Sequence, residues 1–299
     1  MKYDTLIVGG GPAGLSAALV LGRCVRPVAV LDNGHYRNER STALHCYLGH
    51  DGIVPMELRN QSREQLQRYD TIKLVGATVV KVSRCITGFN AVLDDGQEVM
   101  ARTVLFATGV VDELPQIPGL LELFGRSVHV CPYCDGWEHR DAPIAVFGRG
   151  SKGAGLALLL RQWTQDLVLC SHGPVGLAAH EQQLLYRRGI NVRETAIASL
   201  HGDDGCLRAI RFEDGEELPR QALFFTTGQH PRSRFLENLG CTYEEKGVAC
   251  DDDGATSVPG VYVAGDVSRD VQLVIIAAAE GARAALAINK ALLRADGHL

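Results

Sequence analysis

The chain opens with an apolar run, a glycine-rich loop and a helical apolar repeat. The run over residues 5–8 is typical of a strand buried on both faces of a parallel sheet. After the loop, apolar or small residues recur at Leu15, Ala18 and Gly22, which is helical spacing. A second apolar run, over residues 27–31, ends at Asp32. The pattern predicts a βαβ unit with an acid at the end of its second strand.

The same order returns later in the chain. Residues 144–147 predict a strand, residues 154–163 a helix and residues 167–169 a second strand, with a glycine-rich loop after the first strand. Between the two βαβ units, the pattern predicts a helix through Glu57–Tyr69 and short strands over residues 78–106. Near the end, an apolar strand over residues 260–264 precedes an alanine-rich helix from Val274 to Leu293.

Each half of this duplication also contains a strand that ends in Thr-Gly, at residues 108–109 and 227–228. The second unit therefore lies inside the first. We predict an α/β fold with two Rossmann-like (three-layer ββα) dinucleotide-binding domains, the second inserted in the first. The predicted domains are residues 1–114 with 228–299, which form one discontinuous domain, and residues 115–227.

Composition excludes several classes of function. The 299 residues are 46% hydrophobic and 22% charged, as in an ordinary globular protein. A net charge of −5 disfavours nucleic-acid binding and adsorption to anionic membranes. No apolar run approaches the roughly 20 residues of a membrane span. The first strand begins almost at the initiator Met, which leaves no room for a signal peptide, so a cytoplasmic location is expected.

One sequence motif carries candidate redox chemistry, Cys131-Pro132-Tyr133-Cys134-Asp135-Gly136. The other seven cysteines are scattered. Such a pair can be half of a zinc site, a structural disulfide, a redox-active pair or two inert buried thiols. The absence of a second metal-binding pair disfavours zinc, and the two glycine-rich loops favour redox chemistry. Asp135 is then a candidate general acid, whereas Glu138 and His139 are expected to be ordinary polar residues.

The first loop has the spacing of a dinucleotide fingerprint. Gly9 allows the tight turn, Gly11 lets a pyrophosphate approach the backbone, and Gly14 lets the helix pack on the strand. Asp32 can accept hydrogen bonds from a ribose and would repel a 2′-phosphate, which favours FAD or NAD over NADP. The alternative is a glycine turn without a ligand. Asp266 is open between a helix N-cap and a contact to a flavin's ribityl chain.

The second loop has the same backbone pattern with different chemistry after it. Beyond Leu169 the chain reads Cys170-Ser171-His172-Gly173, with neither the acid of an NAD site nor the arginines of an NADP site. His172 is more typical of a turn than of a ligand contact. The predicted second dinucleotide pocket consists of Gly148, Arg149, Gly150, Ser151, Lys152, Gly153 and His172.

With these motifs in this order, the chain resembles the low-molecular-weight thioredoxin-reductase-like flavoproteins over almost its whole length. Within them it is most similar to the dithiol oxidase branch, which includes the gliotoxin and holomycin oxidases. The branch resemblance rests on residues 32–38, on Gly49-His50-Asp51-Gly52 and on residues 131–138.

The resemblance implies an FAD in the discontinuous domain. It implies that Cys134 lies against the flavin, that Cys131 exchanges with substrate and that Asp135 donates or accepts the proton. It also implies a homodimer. The cofactor-binding residues expected from the fingerprint and the resemblance together are Gly9, Gly11, Pro12, Ala13, Gly14, Asp32, Asn33, Arg37, Asn38, His50, Asp51, Val80, Ala107, Thr108, Gly109, Gly265, Asp266 and Gln272.

One departure from the family argues against NADPH as electron donor. NADPH-dependent members carry a His-Arg-Arg cluster where this chain has Ser171-His172-Gly173. The expected function is therefore a FAD-dependent dithiol/disulfide oxidoreductase that exchanges electrons with oxygen or a partner such as ferredoxin. The second pocket is open to another dinucleotide, with a second FAD as one option. Two rivals remain: an NAD(P)H oxidase or flavin reductase with structural thiols, and a non-enzymatic flavin redox sensor.

Overall fold

The computed structural model of the protein describes residues 3–244, 247–268 and 271–299. The chain divides into two compact units. The first contains Met1–Glu39, Cys46–Val111 and His230–Leu299, and the second contains Arg40–His45 and Asp112–Gln229. Each unit is built around a parallel sheet with helices, and the predicted fold class is confirmed.

The first segment of unit one supplies most of its sheet. Its elements are β1 (Tyr3–Val8), α1 (Pro12–Arg23), β2 (Val28–Asp32), α2 (Pro55–Leu66), β3 (Ile72–Gly76), β4 (Val79–Cys85), β5 (Gly88–Leu93) and β6 (Glu98–Phe106). The strand order is β3-β2-β1-β6-β5-β4. Strands β3, β2, β1 and β6 are parallel, whereas β4, β5 and β6 form an antiparallel meander.

Strand β6 belongs to both parts of this sheet because it is nine residues long. Its first half pairs with β5, and its second half pairs with β1. Side chains alternate between the two faces of a strand. Leu6 and Val8 of β1 therefore enter one core cluster, whereas Ile7 enters the other, with Ala17 and Leu21 of α1.

The middle of the chain forms unit two. Its elements, with a short preceding strand, are β7 (Val110–Asp112), α3 (Leu120–Leu123), β8 (Val128–His129), α4 (Pro132–Asp135), β9 (Ile144–Phe147), α5 (Gly150–Leu160), β10 (Leu167–Cys170), α6 (Ala179–Arg187), β11 (Asn191–Arg193), β12 (Ile197–Asp203), β13 (Cys206–Phe212), β14 (Glu217–Pro219) and β15 (Ala222–Phe225). Its parallel sheet has the order β11-β10-β9-β15-β8, and β12, β13 and β14 form a separate antiparallel sheet.

The chain then completes unit one. The last elements are β16 (Gln229–Pro231), α7 (Phe235–Asn238), β17 (Tyr243–Glu244), β18 (Gly247–Val248), β19 (Val261–Val263) and α8 (Val274–Ala295). Strand β19 pairs in parallel with β6. Helix α8 packs on α1, and Ala284, Ala285 and Ile288 join the core on that face of the sheet.

Three predicted helices have boundaries that are wrong by a few residues. The helix predicted through Glu57–Tyr69 spans Pro55–Leu66, because Pro55 is well suited to the first helical position. The helix predicted over residues 154–163 begins at Gly150, inside the glycine-rich loop itself. The last helix extends to Ala295, two residues past the predicted end.

Candidate functional site

The first glycine-rich loop joins β1 to the start of α1. Gly9 has φ +108°, and a Cβ there would lie 2.3 Å from the Ala107 carbonyl oxygen, so only glycine fits. Gly11 is the N-cap of α1, and a Cβ built on it meets nothing within 4 Å. Pro12 occupies the first helical turn without costing a hydrogen bond. The loop therefore leaves open space at the N-terminus of a twelve-residue helix, where an anion is favoured.

A polar cluster follows β2. The Asp32 carboxylate accepts hydrogen bonds from Arg63 Nη2, at 2.5 Å, and from the Tyr36 hydroxyl. The guanidinium of Arg59 lies 4.0 Å from the centre of the Tyr36 ring. Burial, and next the hydrogen bond to Asp32, raises the pKa of Tyr36 to about 12. Tyr36 therefore stays a neutral donor to Asp32 over the physiological range.

Beside this cluster lies a cavity of about 480 Å³, formed within unit one. It runs along the carboxyl ends of the parallel strands, which is where α/β sheets bind nucleotides. The residues that line it include Gly10, Leu15, Asp32, Asn33, Arg63 and Gly76.

Residues far apart in sequence meet at Arg37. Its Nη1 donates to Asp266 Oδ2 at 2.9 Å and to Gln272 Oε1 at 2.5 Å. Asn38 accepts a hydrogen bond from Arg59 at 3.1 Å. The N-cap interpretation of Asp266 is wrong, because α8 begins at Val274, with Leu273 as its N-cap. Asp266 instead lies in the turn between β19 and α8, where it forms an ion pair with Arg37.

The loop after β6 contains a buried hydroxyl group. Ala107 donates its N–H to the Val8 carbonyl at 2.9 Å, which continues the sheet by one residue. Thr108 Oγ1 is buried and has no hydrogen-bond partner within the described part of the chain. Gly109 has φ +67° and turns the chain. A buried hydroxyl without a partner is costly, and a bound cofactor with an acceptor atom would satisfy it.

The other predicted cofactor residues make local contacts or lie at the surface. Asp51 Oδ1 accepts from the Cys46 N–H at 2.9 Å, and the His50 ring lies 5.4 Å from the Tyr47 ring. Asn33 accepts from the His35 N–H at 3.2 Å. Val80 is an exposed residue of β4. Asn33 also lines the cavity beside Asp32, whereas the lining of that cavity does not include His50, Asp51 or Val80.

Cys131 and Cys134 form a disulfide, with their Cα atoms 5.3 Å apart. Cys131 is the N-cap of the short helix α4, and its sulfur accepts the Cys134 N–H at 3.2 Å. Pro132 is buried at the first helical position and fixes the turn between the two cysteines. The spacing alone had left the role of these two cysteines open. Within the described residues, no group of three or more His, Cys, Asp or Glu side chains could hold a metal ion.

Next to the disulfide, three polar side chains form a chain of contacts. Asp135 Oδ1 lies 3.3 Å from His129 Nδ1, and His129 Nε2 lies 3.0 Å from His139 Nε2. His129 is only 5% exposed, on β8. Burial, and next the proximity of His129, lowers the pKa of His139 to about 4. His129 was not predicted to be a site residue, and His139 was expected to be an ordinary polar residue. The signal in the sequence was a histidine on either side of the motif.

The second glycine-rich loop, like the first, brings a helix close to the strand that precedes it. A Cβ on Gly153 would lie 2.6 Å from the Gly148 carbonyl carbon, so helix α5 approaches strand β9 closely. Gly150 begins α5, and Ser151 and Lys152 lie in its first turn. The surrounding side chains differ from those of the first loop. Arg149 Nε donates to the Ser171 carbonyl at 2.7 Å, and its Nη2 donates to the His172 carbonyl.

His172 fixes the backbone that follows β10, through its own conformation and one hydrogen bond. It has φ +54°, a left-handed conformation that non-glycine residues rarely adopt. Its Nδ1 accepts the Ile197 N–H at 3.0 Å. Before it, burial raises the pKa of the Cys170 thiol to about 12. The end of β10 therefore presents a neutral thiol and backbone carbonyls already bonded to Arg149, where unit one presents a carboxylate.

Among the residues that the structure describes, no helix has both the length and the apolar character needed to span a membrane.

The sequence from residue 3 to residue 281 matches a family described as pyridine nucleotide-disulphide oxidoreductases. The chain belongs to this family. Thioredoxin reductase tcpT of Claviceps purpurea is 35% identical over 276 residues, which cover 88% of this chain and 86% of the relative. Thioredoxin reductase aclD of Aspergillus oryzae is 29% identical over 299 residues, covering 96% and 95%.

Solved structures agree. A putative thioredoxin reductase TrxB from Bacillus anthracis has a TM-score of 0.94 at 33% identity and covers 98% of this chain and 99% of its own. HlmI has a TM-score of 0.94 at 35% identity, covering 99% and 94%. The predicted class, a thioredoxin-reductase-like flavin-dependent disulfide oxidoreductase, is confirmed, and the family implies FAD as the cofactor.

Proposed function

We propose that this flavoenzyme oxidises dithiols: Cys131 exchanges with the substrate, and Cys134 passes the electrons to FAD. The observation that carries the proposal is the Cys131–Cys134 disulfide, in a turn where one sulfur already accepts a backbone N–H. Bound FAD supplies an acceptor for two electrons. The substrate class is a small molecule or protein with two neighbouring thiols, because a second thiol must release Cys131 from the mixed disulfide.

The residues of unit one fit FAD. The open face of Gly11 at the start of α1 accommodates a pyrophosphate, and the cavity beside Asp32 accommodates the adenosine. The buried Thr108 hydroxyl needs an acceptor, which the cofactor can supply. Arg37 donates hydrogen bonds to both Asp266 and Gln272, which lie between β19 and α8 in the chain. We assign the ribityl chain and the flavin edge to these last three residues.

We further propose that NADPH is not the electron donor. Arg149, a basic residue of the second loop that reaches the segment after β10, already donates to the Ser171 and His172 carbonyls. Binding a 2′-phosphate would require those hydrogen bonds to break, with no additional arginine at residues 170–174 to compensate. Oxygen is our preferred electron acceptor, with a ferredoxin-like partner as the alternative. A second FAD at the second loop would be recognised by two flavins per chain after denaturation. We also propose a cytoplasmic homodimer.

The test is anaerobic reduction of the purified flavoprotein by dithiothreitol, followed by flavin absorbance. The wild type should bleach, and Cys134→Ser should lose nearly all of the rate, because it removes the thiolate that is proposed to reduce the flavin. Cys206→Ser is the matched control, since it removes an exposed thiol on β13 that has no part in the proposal. If Cys134→Ser bleaches at the wild-type rate and to the same extent, the proposal is wrong.

A further inference from the structure

The side chains of Asp135, His129 and His139 make one continuous chain of hydrogen-bonding atoms within unit two. The two contacts use opposite nitrogens of the His129 ring, Nδ1 toward Asp135 and Nε2 toward His139. An imidazole bonded at both nitrogens can receive a proton on one side and release a different proton on the other. His129 has the geometry of an internal link in such a chain.

The surroundings of the histidine pair are mostly apolar, and two nearby charged side chains make their contacts elsewhere. His129 is almost fully buried, and its ring lies 5.2 Å from the ring of Phe224, itself fully buried. The nearby acid Glu138 is directed elsewhere, since its carboxylate lies 3.4 Å from His45 Nε2. The Arg140 guanidinium lies over the Trp137 ring, 4.4 Å from its centre. Asp135 is therefore the carboxylate in direct contact with the histidine pair, and burial disfavours a cation on His139.

We propose that Asp135, His129 and His139 form a proton relay that carries thiol protons from the cysteine pair toward solvent. The proposal rests on the proposed function and adds that Asp135 accepts a proton as a substrate thiol attacks. His139 is the outer end, because it is partly exposed whereas His129 is buried.

The relay has two states that differ by one proton. With Asp135 ionised, His129 carries its proton on Nδ1 and His139 donates from Nε2. With Asp135 protonated, the acid donates to His129 Nδ1, His129 donates from Nε2, and His139 carries its proton on Nδ1. One proton moves along each hydrogen bond between the states. When the second state returns to the first, His139 Nδ1 releases one proton to water and Asp135 is ionised again, so the three side chains lose one proton in total.

Oxidation of a dithiol releases two protons, and the relay carries them away from Asp135. A first substrate thiol attacks Cys131, the Cys131–Cys134 bond breaks and Cys134 leaves as a thiolate. The second thiol of the substrate then attacks the substrate sulfur of the mixed disulfide. This step forms the substrate disulfide and releases Cys131. The substrate loses two electrons and two protons, and the cysteine pair gains the two electrons. A single carboxylate must lose its first proton before it accepts the second.

Two variants separate a relay from a static hydrogen bond. His139→Gln keeps an N–H donor toward His129 but cannot pass a proton, and His139→Phe keeps the packing but has no nitrogen. Both should slow anaerobic flavin reduction by dithiothreitol at least about tenfold at neutral pH, within the range for general acid–base groups. Added imidazole should restore much of the rate in His139→Gly. A wild-type rate in His139→Gln overturns the relay.

A second readout does not depend on turnover. In the oxidised holoprotein with histidine labelled by ¹⁵N, NMR should find both rings neutral at pH 7, His129 with its proton on Nδ1 and His139 on Nε2. A cationic ring or the opposite pair of tautomers contradicts the relay. Cys134→Ser distinguishes the two proposals. If it is slow while His139→Gln is fast, the relay alone fails; if Cys134→Ser is fast, the function itself fails.

Discussion

The two glycine-rich loops both bring a helix close to the preceding strand, and they differ in the side chains around them. In unit one, the second strand ends at Asp32, which gathers Tyr36 and Arg63 beside an open cavity. In unit two, the corresponding strand ends at the buried Cys170, followed by carbonyls that Arg149 occupies. The comparison teaches that a glycine fingerprint specifies a turn and a helix start, whereas the side chains after the second strand supply the contacts to a dinucleotide's ribose, and these side chains differ between the two units.

The largest expected effect comes from substituting the matching glycines of the two loops. Gly11→Ala keeps an allowed backbone, since φ is −78°, but places a methyl group where the pyrophosphate should approach. Loss of one or two hydrogen bonds to a charged group, at about 1.5–3 kcal/mol each, should weaken FAD binding about tenfold or more. The measurement is FAD retained after dialysis, with the dissociation constant from fluorescence.

Gly150→Ala is the matched control in the second loop. Gly150 has φ +56°, so alanine there should cost about 1 kcal/mol of stability through backbone strain. FAD retention should stay at the wild-type level. If Gly150→Ala loses FAD as readily as Gly11→Ala, the assignment of the cofactor to the first loop is wrong.

A smaller effect is expected at the end of β2, the second strand of unit one. Tyr36→Phe removes the hydrogen bond to Asp32 and should lower the free energy of unfolding by about 1 kcal/mol near neutral pH. The raised pKa of Tyr36 contributes stability below its ordinary value, 10, and this contribution is lost as pH rises from there to about 12. Urea unfolding at several pH values measures it.

The wild type and Tyr36→Phe should therefore converge in stability across that alkaline window. The difference between the two proteins isolates Tyr36 from the other groups that titrate there. A gap that stays constant up to pH 12 would show that the hydrogen bond to Asp32 does not hold the proton on Tyr36.

Much of the fold was predictable because its signals are local. The apolar run of β1, the glycines after it and the acid at the end of β2 lie within one βαβ unit, so periodicity and spacing identify them. The partners of Arg37 were not predictable, since Asp266 is 229 residues away in the chain and meets it only through the sheet topology.

The histidine contacts were missed for a related reason. His129 is on a two-residue strand and His139 follows a short turn, so neither element has a periodicity that shows which way its side chains point. The sequence placed both histidines near the cysteine pair but could not show that they meet. Helix ends also escaped prediction, as at Asp266, because turns before a helix leave little trace in an apolar pattern.

The most direct test of the account compares two electron donors on one protein. Anaerobic stopped-flow absorbance should record flavin reduction by dithiothreitol and, in a separate run, by NADPH at the same concentration. The account predicts brisk bleaching by the dithiol through Cys134 and, with no 2′-phosphate site at the second loop, slow or no bleaching by NADPH. Brisk reduction by NADPH that saturates at micromolar concentration would contradict it.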